Sequence, residues 1–265
     1  MMKAYNLRES MAVHASRQIK NGEKVIVGTG MPLVAAIIAK NCHAKDAVIL
    51  MEAGPYNSNP AALPSCVADP RGFVGAPWVA DPVQMMGMIL QQGRIDLGFL
   101  GGAQVDMYGN LNSTVLGSYK NADVRLPGSG GASDIGALAK RNLIIIAHEK
   151  RRLVEKVDYL TTPGWKLYPY KDGKRIQGAL VDRSELGYQG GPAAVVTTMG
   201  VMKFDADTKV MYVSEYYADL DVTLEMIKEN TGFAIDTSRA KPVVPPTEDE
   251  LYILRNVADP EKIFM

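Results

Sequence analysis

Histidine and cysteine are scarce in this chain of 265 residues, which contains three histidines and two cysteines. No pair of histidines has the spacing of metal ligands, and none accompanies the Gly-x-Ser-x-Gly turn of a serine hydrolase. The cysteines also lack metal-type spacing, so we expect reduced structural thiols. The sequence therefore gives little support to a metal centre or a hydrolase triad. The residues concerned are His14, His43, His148, Cys42 and Cys66.

An excess of charge is also missing, because 29 basic and 29 acidic side chains give a net charge of zero. No basic cluster is dense enough to follow a phosphate backbone, so no nucleic-acid partner is expected. No apolar run approaches the ~20 residues that cross a bilayer. Residues 1–20 are amphipathic and carry both charge signs, unlike a signal peptide. We therefore expect a cytoplasmic protein that does not bind membranes.

The first ~150 residues show strand and helix patterns in alternation, which predicts a mostly parallel sheet covered on both faces. The amino-terminal helix has Asn6 as its expected N-cap, with Glu9 three positions later. Residues 193–217 predict an antiparallel pair, followed by helices near 220–229 and after Pro246. We therefore predict one α/β domain spanning 1–265, with an open twisted sheet and a C-terminal antiparallel and helical extension. The main predicted strands are 24–27, 47–51, 95–100 and 142–147.

Several unusual residues follow predicted strands, and open parallel sheets bind ligands beyond the carboxyl ends of their strands. Gly28-Thr29-Gly30 resembles the start of a dinucleotide fingerprint, but Leu33 occupies the third glycine position. This turn either binds an anion through backbone amides or simply joins a strand to a helix. Gly128 to Ala132 precedes a helix and could form a phosphate site, an oxyanion hole or a plain surface turn.

Glu52 follows directly after an apolar strand, where a carboxylate leaves bulk water and normally needs a partner or a task. A catalytic role and a salt-bridged or solvent-edge role both remain open from spacing alone. We expect a helix that begins at Asp81-Pro82 and places Met85, Met86 and Met88 in the hydrophobic core.

Taken in order, the motifs resemble the β subunit family of glutaconate CoA-transferase, a class I CoA-transferase, over nearly the whole chain. Each motif is weak by itself, whereas their order is specific. The runs that carry the resemblance are VIVGTG (25–30), ILMEAG (49–54), GGAQVD (101–106), GSGGA (128–132), HEKRR (148–152), TPGW (162–165) and GVMKFD (200–205).

The resemblance implies a CoA-transferase-like fold and a ping-pong reaction through a glutamyl-CoA thioester on Glu52. It also places the oxyanion hole at Gly130 and Gly131. Coenzyme A is implied as a substrate, with no other cofactor and no metal. An α subunit is implied as partner, in an α2β2 or higher assembly with the active site at the subunit interface. The residues expected to bind substrate or CoA are Gly28, Thr29, Gly30, Gly54, Gly102, Gln104, Gly128 and Ser129.

The sequence departs from the broader class at the nucleophile, where Ser-Glu-Asn-Gly is usual and Ala53-Gly54 follows Glu52 here. A small residue and glycine favour the glutaconate branch. Its substrates include dicarboxylates such as glutaconate and oxo-acids such as 3-oxoadipate. Two alternatives stay open: a subunit of an acyl-CoA decarboxylase or C–C hydrolase on the same scaffold, and a chain that only completes its partner's site.

Overall fold

The computed structural model describes residues 4–60, 62–171, 174–176, 178 and 180–265. Its α-helices are α1 Leu7–Ser16, α2 Met31–Cys42, α3 Ala132–Leu138, α4 Leu224–Glu229 and α5 Glu248–Ile253. Its strands are β1 Lys24–Ile26, β2 Val48–Leu50, β3 Pro55–Tyr56, β4 Trp78–Val79, β5 Leu97–Gly101, β6 Gln104–Val105, β7 Leu111–Asn112, β8 Val115–Gly117, β9 Ala122–Arg125, β10 Asn142–Ile146, β11 Lys166–Leu167, β12 Tyr170–Lys171, β13 Lys174–Arg175, β14 Val181–Asp182, β15 Pro192–Thr197, β16 Gly200–Phe204, β17 Met211–Tyr216 and β18 Lys241–Pro242.

Ten of these strands form one sheet in the order β18-β17-β16-β15-β10-β5-β1-β2-β3-β4. The five neighbours from β15 to β2 are parallel, and antiparallel pairings add β16 and β17 on one side and β3 and β4 on the other. The last strand, β18, pairs with β17 in parallel. The predicted open, mostly parallel sheet is therefore confirmed. The antiparallel pairing predicted at 193–217, with its turn at 205–207, is confirmed by β16 and β17. The segment contains one strand more than predicted, because β15 pairs antiparallel with β16 and also joins the parallel centre. A second tight turn at Thr198-Met199 had no turn-forming composition to reveal it.

Both faces of the sheet are covered, so neighbouring residues of one strand face opposite cores. Val25 and Leu143 pack with α1, α2 and α5, whereas Ile26 and Ile144 pack with α3, α4 and the segment after β4. The alternation of side chains along a strand produces this division. Strands buried on both sides explain why the central segments are continuously apolar.

The helix ends follow local sequence rules only in part. Asn6 caps α1 as predicted, because its side chain accepts from the amides of Arg8 and Glu9 and the Glu9 carboxylate accepts from the Asn6 amide. The C-terminal helix continues as the π-helix Leu254–Ala258. The helix expected from Leu220 begins later, at Leu224, since Asp221 adopts a left-handed conformation before it.

The segment after β4 forms the π-helix Gln84–Leu90, in which the Gln91 amide donates to the Met86 carbonyl at 3.1 Å. Hydrogen bonds across five residues break the 3.6-residue period, so side-chain burial does not follow the α-helical pattern. Met85 is buried, but Met86 is half-buried and Met88 is exposed. The prediction that all three methionines lie in the core is wrong for Met88.

Among the helices of the described residues, none combines the length and the apolar composition needed to span a membrane.

Candidate active site

The loops that follow adjacent strands β5, β1 and β2 meet at the carboxyl edge of the sheet. They surround a cavity of about 140 Å³, whose floor is apolar and whose wall includes Glu52. Strand pairing explains this convergence, because parallel neighbours end at the same edge. The other lining residues are Ile26, Val27, Gly28, Val67, Phe99, Leu100, Gly101, Ser129, Gly130, Gly131, Ala132 and Ile135.

Glu52 is half-buried immediately after the fully buried Met51. Its Oε2 accepts a hydrogen bond from the Gly131 amide at 3.2 Å. Within the described part of the chain, no basic side chain forms a salt bridge with this carboxylate. A surface ion pair therefore does not account for its position. Its partner is instead a backbone amide at the start of α3.

The glycines of the 128–131 loop allow this close approach. A Cβ on Gly131 would overlap Glu52 Oε2 and would lie 2.8 Å from Met86 Cε. Gly130 adopts φ +47°, in the left-handed region where side chains are strained. The sequence prediction that brought Glu52, Gly130 and Gly131 together agrees with this geometry.

A second, wider cavity of about 430 Å³ is also lined by Glu52. It shares Glu52, Val67, Gly130 and Gly131 with the inner cavity, and its further walls are Ala53, Pro82, Met86 and Asp134. Glu52 thus lines both a narrow cavity and a more open one. Neither lining set contains Lys, Arg or His, and apolar residues predominate in the inner wall.

The residues of the predicted 28–30 turn lie partly at the cavity wall and partly in the core. Gly28 lines the inner cavity, and Thr29 beside it is half-buried. Gly30 is buried at the start of α2 with φ +85°, and a Cβ there would lie 3.3 Å from the Phe264 ring. The structure therefore gives Gly30 a packing contact with the C-terminal tail.

Gly54 and Gly128 shape the loops that carry the cavity walls. Gly54 adopts φ +120°, its carbonyl accepts from the Ala80 amide at 2.9 Å, and a Cβ would overlap the Ala80 carbonyl. Gly128 adopts φ +96° and its amide donates to the Ser113 carbonyl at 3.0 Å. Ser129, one residue later, is exposed at the inner cavity. Both glycines are needed for backbone conformation.

Gln104 lies in the β6–β7 hairpin and Gly102 in the link between β5 and β6, and both are outside the two cavity walls. The buried Gln104 amide donates to Asp158 Oδ2 at 3.1 Å and accepts from Asn112 Nδ2 at 2.9 Å. A Cβ on Gly102 would come within 3.0 Å of the Asn112 carbonyl. These contacts brace the hairpin, and a direct role in binding stays a prediction.

Twelve lining residues were not predicted as site residues. Gly101 had a usable signal, since it belongs to the GGAQVD run and ends β5 at the same sheet edge as Glu52. Val67 had none because it lies in an irregular loop, and Met86 was expected in the core because the π-helix register was not predicted. The others are Ile26, Val27, Ala53, Pro82, Phe99, Leu100, Ala132, Asp134 and Ile135.

A buried arginine fixes α3 from its C-terminal end. The Arg183 guanidinium donates to the carbonyls of Gly136 and Gln189, both at 2.6 Å, and of Pro163 at 3.0 Å. Burial lowers the pKa of Arg183 to about 10, so the group stays protonated at neutral pH. A cation is favourable at the carbonyl end of a helix. Arg183 therefore helps to hold Gly131 at the opposite end of α3.

His148 bridges three elements behind the sheet edge and does not line either cavity. Its Nδ1 lies 3.0 Å from Thr197 Oγ1 and its Nε2 lies 3.0 Å from Thr231 Oγ1. Burial lowers the pKa of His148 to about 4. The imidazole is therefore neutral at physiological pH and serves as a structural bridge.

Comparison with known proteins assigns the family. The family model described as coenzyme A transferase matches residues 8–230. The chain is 38% identical over 98% of its length to the B-type subunit of glutaconate CoA-transferase from Acidaminococcus fermentans, covering 95% of that protein. It is also 38% identical over 96% of its length to the B-type subunit of 3-oxoadipate CoA-transferase from Pseudomonas knackmussii, covering 94% of that protein.

Solved structures agree with the sequence relatives. The crystal structure of glutaconate coenzyme A-transferase from Acidaminococcus fermentans superimposes with a TM-score of 0.87 at 37% identity, covering 98% of this chain and 97% of that one. IpdAB of Rhodococcus jostii superimposes with a TM-score of 0.75 at 19% identity, covering 98% of this chain and 97% of that one, and shares the fold alone.

Proposed function

Since this chain belongs to the coenzyme A transferase family, we propose that it is a B-type subunit whose Glu52 is the nucleophile. The assembled enzyme then moves CoA from an acyl-CoA to a carboxylic acid. The observation that carries the proposal is the half-buried Glu52 carboxylate held at 3.2 Å by the Gly131 amide. Glu52 lines two cavities at the edge of the sheet where ligands are expected.

A carboxylate suits this reaction because CoA transfer must conserve the energy of a thioester. A serine nucleophile would form an ordinary ester and lose that energy, whereas a carboxylate forms a reactive anhydride. A carboxylate attacks directly through its oxygen, so no general base is needed to activate it. The absence of histidine from both cavity walls is therefore consistent with the chemistry.

The first half-reaction consists of two exchanges. A Glu52 oxygen attacks the thioester carbonyl, the C–S bond breaks, and CoA leaves as the thiolate. The thiolate then attacks the Glu52 carbonyl of the mixed anhydride, which releases the first acid as carboxylate and leaves a glutamyl-CoA thioester. The second acid repeats these steps in reverse, so that Glu52 is regenerated and a new acyl-CoA leaves.

The Gly131 amide is placed to assist when Glu52 itself is attacked. A tetrahedral centre at the Glu52 carbonyl carries negative charge on an oxygen close to the position of Oε2, 3.2 Å from this amide. One such donor is commonly worth roughly 3 kcal/mol of transition-state stabilisation. Gly130 is the second glycine of the loop and, in the proposal, completes the oxyanion hole.

The partner and the acid substrate follow from the relatives. Both sequence relatives are named as B-type subunits, so we propose an A-type (α) subunit as partner, in an α2β2 or higher assembly. Their names give glutaconate and 3-oxoadipate, so a dicarboxylate or an oxo-acid is proposed as substrate. Since the cavity walls of this chain supply no cation, the partner is expected to bind a distal carboxylate.

The decisive experiment traps the covalent intermediate in the assembled enzyme. Incubation with acyl-CoA and no acceptor acid should convert Glu52 to a CoA thioester, which borohydride reduces to an alcohol detectable by peptide mass spectrometry. The Glu52→Gln variant is the matched control and should show no label. A labelled peptide elsewhere, or none at all in an active enzyme, would count against the assignment. Product analysis with and without acetate distinguishes transfer from acyl-CoA decarboxylation or hydrolysis.

A further inference from the structure

The 128–131 loop has almost no side chain that could anchor it to the rest of the fold. Three of its four residues are glycine, and Ser129 is exposed. A Cβ at Gly128 would meet no atom of the described residues within 4 Å. Glycine loses more conformational entropy than any other residue when it is ordered. Hydrogen bonds to the backbone must therefore determine where the Gly131 amide lies.

Ser113 holds the first residue of the loop through two hydrogen bonds. Its Oγ donates to the Gly128 carbonyl at 2.9 Å, and the Gly128 amide donates to the Ser113 carbonyl at 3.0 Å. A trans peptide directs its C=O and its N–H to opposite sides, so fixing the Gly128 carbonyl also fixes the direction of the Ser129 amide. Ser113 therefore sets the orientation in which the chain enters the loop.

Thr162 holds the residue that follows the loop. Its Oγ1 donates to the Ala132 carbonyl at 3.2 Å. Thr162 is buried, and its methyl group lies against Gly136 of α3, where a Cβ would overlap Thr162 Cγ2. The hydroxyl and the methyl group of one side chain therefore contact α3 at two different points, and only the hydroxyl contacts the end beside the loop.

The two hydroxyl-bearing residues belong to one hydrogen-bonded unit. Thr161 Oγ1 accepts from the Ser113 amide at 3.0 Å. The Leu111 amide donates to the Thr162 carbonyl at 3.0 Å, and the Thr161 amide donates to the Leu111 carbonyl at 2.9 Å. Both ends of the loop are therefore fixed to the same pair of segments, 111–113 and 161–162.

We propose that Ser113 and Thr162 are positioning residues, whose hydroxyl groups hold the 128–131 loop so that the Gly131 amide points at Glu52. The inference rests on the proposed function, in which this amide stabilises the oxyanion formed on Glu52. Ser113 and Thr162 lie outside both Glu52 cavity walls. Both residues therefore act through Gly131 and do not touch the substrate.

Four variants of the full chain, each assembled with the A-type subunit, test this proposal. Ser113→Ala and Thr162→Val remove a hydroxyl with little change in volume, whereas Thr162→Ser keeps the hydroxyl and removes the methyl group. Ser16→Ala is the matched control, because Ser16 Oγ also donates to a backbone carbonyl, that of Val13 at 2.7 Å in α1. The kcat of CoA transfer, the KM for acyl-CoA and the thermal unfolding of each complex are measured.

We expect Ser113→Ala and Thr162→Val to lower kcat by about 10–10²-fold with little change in KM, because a displacement of ~1 Å near the reacting groups can cost this factor. Thr162→Ser and Ser16→Ala should lower unfolding temperatures but retain the wild-type kcat. A wild-type kcat in Ser113→Ala or Thr162→Val would overturn the proposal. The comparison of Thr162→Val with Thr162→Ser keeps the test decisive if Ser113→Ala does not fold.

A double-mutant cycle tests whether the hydroxyl groups act through Gly131. In a Gly131→Ala background, Thr162→Val should lower kcat no further, because the hydrogen bond that it supports is already lost. Losses that multiply would overturn the proposal, since Thr162 would then act independently of this amide. Glu52 labelling in the wild-type complex tests the proposed function separately. An active wild type without this label rejects the nucleophile, whereas a labelled wild type with unchanged kcat in the variants rejects only the positioning role.

Discussion

Replacing Gly131 by alanine should displace the Glu52 carboxylate without lowering the stability of the fold. The new methyl group would occupy the space of Glu52 Oε2 and press on Met86 Cε. Both neighbours are the ends of flexible side chains, so the backbone can remain in place while the carboxylate rotates away. The variant then loses the 3.2 Å hydrogen bond without a cavity or a buried unsatisfied group.

The expected loss is that of one positioned donor, a factor of about 10²–10³ in the rate of the chemical step, or roughly 3 kcal/mol. The assay is rapid-quench measurement of glutamyl-CoA formation in the assembled enzyme, with thermal unfolding recorded in parallel. Gly28→Ala is the steric comparison, because a Cβ at Gly28 meets nothing within 4 Å although the residue lines the same cavity. It should alter KM more than the rate of glutamyl-CoA formation. A Gly131→Ala enzyme with a normal rate of glutamyl-CoA formation would refute the reasoning.

Three further predictions concern Glu52 and the groups around the site. Glu52→Asp draws the carboxylate back by about 1.5 Å and should reduce transfer at least ~10²-fold, measured as steady-state kcat with CoA binding as the control. His148 has its pKa lowered by burial from 6.5 to about 4, so its stabilising contribution is complete above pH 6.5 and is lost as pH falls to about 4. Denaturant titrations should therefore show a flatter loss of stability across this pH range for His148→Gln than for wild type. Arg183→Met removes the side-chain donor to the carbonyls of Gln189 and Pro163 and should lower the free energy of unfolding by about 2–3 kcal/mol, whereas unchanged stability would show that water replaces the guanidinium.

The parallel centre of the sheet could be predicted because its strands are continuously apolar and alternate with helical patterns. Strands of two residues, such as β3 and β4, could not be predicted, since so short a segment carries no period. The π-helix could not be predicted from the sequence either, because its register depends on packing against the sheet and not on local propensity. Local rules were sufficient where a side chain bonds its own neighbours, as at the Asn6 cap.

The location of Glu52 at the carboxyl edge of the sheet could be predicted, because the residue directly follows an apolar strand. The residues that enclose it could not be predicted as easily. Val67 lies in an irregular loop, and Met86 lies in a predicted helix whose π-helical register was not foreseen. Among glycines, sequence alone did not separate those that line a cavity, such as Gly28, from those that permit backbone packing, such as Gly30. Only tertiary contacts distinguish these two roles.

The close contact between Gly54 and Ala80 makes the turn after Glu52 and the edge strand β4 one mechanical unit. If the proposed A-type subunit contacts β4, it restrains that turn and thereby favours the carboxylate geometry that binds acyl-CoA. Linkage then requires reciprocity: whatever factor assembly adds to acyl-CoA affinity, acyl-CoA adds to the affinity between subunits. The substrate would in this way be an allosteric effector of assembly, and the complex should resist dilution better in its presence.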